Sequence, residues 1–141
     1  MNEYKFKRKL EYIKSRQNDS QTLVSLYIPY DKPKKDIIYH LRYKVVLFSE
    51  IKTLRSKAMV KTLESLIEWV EHTKIPKKGM CIFTGISSDN DYNIEIIEVK
   101  PPFRILSYTY VCDDRYFTDR LFNLYTGYQF NSVCKIILNS N

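Results

Sequence analysis

The sequence predicts an α+β fold, a two-layer sandwich in which about four α-helices pack on a mostly antiparallel sheet of about four strands. Two observations carry this prediction. Apolar residues recur at three- and four-residue spacing over three stretches, as in helices with one buried face. The strand-like runs are short, and two of them follow one another through a turn rather than a helix, which favours antiparallel pairing over strict strand-helix alternation.

From Glu3 to Gln17, apolar Phe6, Leu10 and Ile13 recur among lysines and predict a short amphipathic helix, which Asn18-Asp19-Ser20 ends. Thr22 to Ile28 is a β-rich run stopped by Pro29, and its apolar density predicts a central, buried strand. Asp31 is a good N-cap with Pro33 near the first helical position. After it, Ile37, Ile38, Leu41, Val45 and Phe48 give one buried face of a second helix ending near Ser49. Leu54, Ala58, Leu63, Leu66, Ile67 and Val70 form the stripe of a third and longest helix, which Pro76 and Gly79 bring to an end. Met80 to Ile86 and Tyr92 to Val99 are two strands joined by the turn-formers Ser87-Ser88-Asp89-Asn90-Asp91, and Pro101-Pro102 closes the pair. Arg104 to Cys112 alternates with aromatics as a further strand, and Asp113/Asp114 are placed to start a fourth helix, whose positive end such acids suit. Residues 132–138 are one more apolar strand.

A chain of 141 residues falls in the size range of one domain, with enough length to bury a substantial core. Its charged N-terminus and the lack of an apolar run of about 18 residues predict neither a signal peptide nor a membrane span, and hence a cytoplasmic protein without a membrane partner. Cys81, Cys112 and Cys134 are odd in number and lack C-x-x-C spacing, so reduced thiols are expected, with no metal site and no cofactor. The formal charge of +7 is unevenly placed. Residues 1–61 hold 15 Lys/Arg against 6 Asp/Glu, a net of +9, whereas residues 62–141 hold 8 against 10, a net of −2. A phosphate-tracking surface for a polyanionic partner would therefore be sought in the N-terminal half, with solvated lysine-rich helix faces as the other interpretation of the same charge. His40 and His72 stand on separate helices without a metal-binding or catalytic spacing, and no Gly-rich phosphate loop or nucleophile elbow occurs, so no enzymatic activity is expected.

The break between the second and third helices reads Phe48-Ser49-Glu50-Ile51-Lys52-Thr53, followed at once by Arg55, Lys57 and Lys61. Cations in the opening turns of a helix oppose its dipole. The N–H groups at that end, with Lys52 and Arg55, would form a cradle for phosphate and turn the local penalty into affinity for RNA; a solvated lysine-rich turn is the other interpretation of the same spacing.

These residues also carry a family resemblance. Ser49-Glu50-Ile51-Lys52-Thr53 resembles the end of Thr-Ala-Ser-Asn-Ile-Lys-Ser in the N-terminal, stop-codon-recognising domain of the eukaryotic and archaeal class-1 release factors. Tyr110-Val111-Cys112-Asp113-Asp114-Arg115-Tyr116 resembles the Tyr-x-Cys-x-x-x-Phe motif of that domain. Leu23-Val24-Ser25-Leu26-Tyr27-Ile28-Pro29 and Ile75-Pro76-Lys77-Lys78-Gly79-Met80-Cys81-Ile82-Phe83-Thr84-Gly85 resemble its scaffold, so the likeness covers nearly the whole chain. It implies residues 1–127 as the domain and 128–141 as a terminal strand like the start of the family's central domain.

The resemblance further implies a role in translation termination, as the module that binds the ribosomal decoding site and recognises a stop codon. The partners would be the small-subunit decoding site, rRNA and mRNA, and a translational GTPase where the chain belongs to a longer factor; a monomer is expected. Lys52 would approach the first codon base and nearby phosphate, with Ile51 and Thr53 shaping the loop; Ser49 and Arg55 flank it among the candidate RNA-binding residues. Tyr110 and Cys112 would line the pocket for later bases; Tyr116, also a candidate RNA-binding residue, replaces the motif's Phe and adds a hydroxyl, and Gln21 and Thr22 lie in the segment that corresponds to the family's Gly-Thr-Ser. Departures are present. Glu50 replaces the motif's Asn with a group that repels phosphate, Lys44 stands where an acid is expected, and Ser20-Gln21-Thr22 replaces Gly-Thr-Ser. With glycine only at Gly79, Gly85 and Gly127, the Gly-Gly-Gln motif of peptide release is not in this sequence. Two alternatives stay open: a stand-alone dormancy or regulatory factor that occupies the ribosome without reading a stop codon, and a generic basic RNA-binding domain.

Overall fold

The computed structural model describes residues 3–86 and 93–121. Its elements run α1 (Glu3–Ser15), β1 (Leu23–Ile28), α2 (Lys34–Ser49), α3 (Leu54–His72), β2 (Met80–Gly85), β3 (Glu95–Val99) and β4 (Thr109–Asp113), and a further helical stretch begins at Asp119. The strands form one sheet in the order β3-β2-β1-β4, with every neighbouring pair antiparallel. This is the expected α+β class with four antiparallel strands. The turn at 87–91, the body of the fourth helix and the strand over 132–138 lie outside the described residues.

β1 is the first strand in the chain but sits inside the sheet, and all six of its residues are buried. The period of two explains this. Val24, Leu26 and Ile28 face one side, where Ile37 and Leu41 of α2 and Met59, Leu63, Leu66 and Val70 of α3 complete a core. Leu23 and Tyr27 face the other, where Phe6, Leu10 and Ile13 of α1 pack with Cys81, Phe83, Tyr116 and Leu121. The expected helix layer thus has a counterpart on the opposite face, so the central strands are apolar throughout rather than alternating with polar residues. Tyr27 pins this second face: its hydroxyl donates to the Phe117 carbonyl, its ring lies 5.5 Å from the Arg120 guanidinium, and Ser25 Oγ accepts from Phe117 N at 2.8 Å.

Three local expectations need correction. Asp113 and Asp114 do not start a helix. β4 continues through Asp113, Asp114 N donates to Asp113 Oδ1 at 2.7 Å, and Arg115 bridges to Gln17, so the helical stretch begins only at Asp119. An Asp side chain that takes the next backbone N–H competes with helix formation. The strand expected from Arg104 shortens to Thr109–Asp113, because Ile105 N is held by the Lys78 carbonyl at 2.8 Å rather than by a ladder partner. Asp31 does not cap α2; Pro33 holds the N-cap position, and its carbonyl accepts from Asp36 N at 3.0 Å and Ile37 N at 3.3 Å.

α2 and α3 form an antiparallel hairpin. Lys34 Nζ donates to the Glu71 carbonyl at 3.5 Å and Arg42 Nη2 meets Glu71 Oε1 at 3.0 Å, which brings the last turn of α3 beside the first half of α2 and leaves residues 50–53 at the opposite tip.

Candidate nucleic-acid interface

The tip is a closed four-residue connection. Ser49 ends α2 with its hydroxyl donated to the Val45 carbonyl at 2.7 Å, and Glu50 follows as the C-cap, still in the helical region. Ile51 N then donates to Phe48 O at 3.1 Å. Thr53 turns extended and caps α3: its Oγ1 accepts from Ser56 N at 3.1 Å, while Ser56 Oγ accepts from Thr53 N at 3.0 Å. Ser56 is buried, and its hydroxyl also contacts the Ile51 carbonyl. Residues 51–53 are thereby tied back to the helix from inside, and Glu50, Ile51, Lys52, Thr53 and Leu54 are exposed.

Arg55 departs from the expected cradle beside Lys52. Its Nε donates to the Ser20 carbonyl at 2.7 Å and its Nη2 to the Gln21 carbonyl at 3.5 Å. It tethers the turn before β1 to the start of α3. Gln21 occupies the left-handed region, φ +58, at this turn. Cys112 joins from β4, its Sγ lying 3.3 Å from the Gln21 carbonyl and 3.6 Å from Met59 Sδ. Burial raises the Cys112 thiol pKa, and the nearby Arg55 opposes the rise.

Tyr110, two residues back on the same side of β4, is half-buried against the α2/α3 core. Its hydroxyl is shielded from solvent with no partner at hydrogen-bonding distance among the described residues, and burial, with Cys112 as the next cause, pushes its pKa up. Lys44 Nζ lies 5.2 Å over the Tyr110 ring. His40, one helical turn before Lys44, places its edge on both Tyr110 and Tyr108 at centroid distances of 5.3 and 5.5 Å, with Nδ1 at 2.8 Å from the Tyr108 hydroxyl. Lys32 lies 5.2 Å over the Tyr108 ring. Burial first, then Lys44 and Lys32, lowers the His40 pKa, which favours the neutral imidazole.

Gln21, Lys44, Arg55, Tyr110 and Cys112 therefore gather around one end of β4 and α2, adjoining the Ser49–Thr53 tip. Two expected residues do not join them. Thr22 is buried with its hydroxyl accepting from Asn18 Nδ2 at 2.9 Å. Tyr116 packs on the opposite face of the sheet and donates to Glu95 Oε1 at 3.1 Å. Ser56 and Tyr108 are part of the arrangement without having been singled out in the sequence, and His40 enters it although its spacing suggested no chemical role. For Ser56 a signal existed, since Thr53-x-x-Ser56 has capping-box spacing with serine in the usual Glu/Gln place. Among the described residues no three His, Cys, Asp or Glu side chains gather as metal ligands. Cations beside half-buried aromatic rings suit single-stranded RNA, which offers phosphates and unstacked bases together.

The comparisons agree with this architecture. Residues 1–126 match the family model described as eRF1 domain 1. The chain is 34% identical over 117 residues to peptide chain release factor subunit 1 of Methanococcoides burtonii, covering 81% of this chain and 28% of the relative. It is 32% identical over 126 residues to the same factor of Archaeoglobus fulgidus, covering 87% and 31%. Among solved structures, an archaeal translation termination factor, aRF1, superposes with a TM-score of 0.77 at 25% identity, over 89% of this chain and 35% of the other. The chain spans about a third of the length of these relatives.

Proposed function

Because this chain belongs to the eRF1 domain 1 family, we propose that it binds the small-subunit decoding site of the ribosome and meets mRNA and rRNA there as the codon-facing module of a class-1 release factor. The observation that carries this reading is the convergence at one end of the domain of three segments far apart in sequence: Ser20–Gln21, the 44–55 stretch, and Tyr110 with Cys112. Lys52 is the exposed cation of the tip and would meet RNA directly. Arg55 acts from behind, holding the 20–21 turn in place. No helix among the described residues is long and apolar enough to cross a membrane.

A second reading is favoured by a specific observation. The groups that resemble base-reading positions are already engaged within the domain: Lys44 covers the Tyr110 ring, and the Cys112 thiol lies against the Gln21 carbonyl. Glu50 places a carboxylate at the tip, where a phosphate would be repelled. Occupancy of the site without codon selection would follow. Ribosomes programmed with a stop or a sense codon in the decoding site separate the readings. A stop-codon preference of tenfold or more supports codon recognition, equal affinity supports codon-independent occupancy, and no binding to either sinks both. In the binding cases Lys52→Glu is expected to weaken affinity by tenfold or more at physiological salt, and an unchanged affinity would remove Lys52 from the interface.

A further inference from the structure

α2 carries two apolar faces. One, with Ile37 and Leu41, is buried in the core. On the other, Tyr39, Tyr43, Val46 and Leu47 follow one another at helical spacing and remain 77%, 55%, 56% and 40% exposed. A helix that is apolar on both sides is ordinarily covered on both sides. Among the described residues nothing covers this outer stripe. Val46 leads from it into the groove between α2 and α3, where a hollow of about 460 Å³ takes its apolar lining from Val45, Val46 and Ile67 and is flanked by Glu64, Glu68 and Glu71. Arg42, the one cation lining it among the described residues, is already paired to Glu71 at 3.0 Å. Glu64 and Glu68 are exposed, and among the described residues neither forms an ion pair, although Lys61 stands beside them at the margin toward the tip. Asp36 and Glu50, exposed about one turn beyond either end of the outer stripe, extend the negative character along α2. A chain of net charge +7 thus places an acidic, apolar surface on the flank of its hairpin.

We propose that this flank docks a partner protein through a basic amphipathic helix, which lies along the α2/α3 groove with its apolar side chains on Tyr39, Tyr43, Val46 and Ile67 and its Lys or Arg residues beside Glu64 and Glu68. Charge decides the class of occupant. The carboxylates that would attract a cationic helix repel RNA phosphates, so this face does not extend the surface of the tip. The groove between two antiparallel helices suits a third helix, whose side-chain ridges fit it and whose own backbone groups are already satisfied. An extended segment would instead need backbone partners that valine and isoleucine do not supply. A second copy of the chain does not match. Across a two-fold axis it would bring the same carboxylates together, and its basic α1 keeps Phe6, Leu10 and Ile13 buried in its own core. Tyr39 and Tyr43 are of the residue type that concentrates binding energy at protein interfaces, because the ring covers much area for little ordering entropy.

The test uses the full chain and three labelled synthetic peptides of about 14 residues, roughly 21 Å long as a helix. The first has a leucine stripe at helical spacing flanked by Lys and Arg. The second has the same composition with the leucine spacing scrambled, and the third keeps the stripe but carries Glu in place of Lys and Arg. The first is expected to bind at least about tenfold more tightly than either of the others. It should also gain helical circular dichroism on binding, since so short a helix is marginal when free, and shift the amide resonances of residues 39–46 and 64–71. Tyr39→Ser with Tyr43→Ser, at exposed positions, should weaken it by at least about fivefold. Glu64→Lys with Glu68→Lys should weaken it as well and strengthen the third peptide. Thermal unfolding identifies the folded variants, and either pair suffices. Equal affinity for the three peptides, no binding, binding without a gain of helix, or binding that the folded variants retain in full overturns the proposal. Self-association of the chain that Tyr39→Ser with Tyr43→Ser abolishes would assign the face to a second copy, and an RNA oligomer that shifts the same resonances would assign it to RNA; either overturns the proposal. The peptides contain no RNA, so these outcomes are independent of whether programmed ribosomes bind.

Discussion

Ser56 is the side chain on which the tip depends. It accepts from Thr53 N at 3.0 Å, donates toward the Ile51 carbonyl, and receives its own backbone support from Thr53 Oγ1 at 3.1 Å. Ser56→Ala leaves Thr53 N and the Ile51 carbonyl without these partners near a buried position, and is expected to cost about 1 to 2 kcal/mol. Urea unfolding checks this: the midpoint should fall with the slope unchanged, and ribosome affinity should fall several-fold because Lys52 is less well positioned. A stable variant with normal affinity would show that the tip holds its shape without this serine. Thr53 was legible in the sequence as a loop residue because it stands immediately before an apolar helical stripe. Ser56 was not, since its importance comes from the back-bond to Ile51 that only the closed loop creates. Lys44 and Tyr110 were likewise picked out singly, whereas their stacking depends on which helix face meets β4, and no local spacing encodes that.

Among the elements, β2 depends on the glycine that precedes it. Gly79 has φ +92, and a Cβ there would lie 2.4 Å from the Ile28 carbonyl and 3.0 Å from the Ile105 side chain. The turn therefore brings three segments together: Gly79 N donates to Pro76 O, and Lys78 O accepts from Ile105 N, both at 2.8 Å. Gly79→Ala combines a left-handed conformation with a backbone clash, and a loss of at least about 2 kcal/mol is expected, measured as a lower denaturation midpoint. An unchanged midpoint would mean that the Pro76–Gly79 turn can be rebuilt at little cost. Elements with a strong period were legible before the structure: α1, α2 and α3 follow their apolar stripes, and β1 follows its dense apolar run. β4 and its neighbours were less so. Asp113 and Asp114 read locally as helix starters, but Val111 and Cys112 are paired with Ser25 and Val24 of β1, and that non-local pairing carries the strand through Asp113. The same limit applies to α1, whose stripe showed that it would be buried but not on which face of the sheet.

At the scale of the whole molecule, the question is whether RNA affinity follows from total charge or from where the charge sits. The formal charge is +7, but the N-terminal 61 residues carry +9 and the remainder −2. α3 has 19 residues, so its two ends lie about 28 Å apart at 1.5 Å per residue. That separation is several times the Debye length of about 8 Å at physiological ionic strength. Cations beyond the far end of α3, such as the exposed Lys74 and Lys77, are therefore screened from anything bound at the tip, while Lys57 and Lys61 are in direct reach of it. Two double variants make the distinction measurable because they have the same net charge. Lys57→Ala with Lys61→Ala is expected to reduce the slope of log affinity against log salt by about 1.4 to 1.8, the loss of two phosphate contacts. Lys74→Ala with Lys77→Ala should leave that slope nearly unchanged. Titrations of ribosomal subunits over a range of salt concentrations provide the measurement. Equal changes in the two variants would show that the chain is attracted to RNA as a diffuse cation, and the hairpin tip would then lose its claim to be the contacting surface.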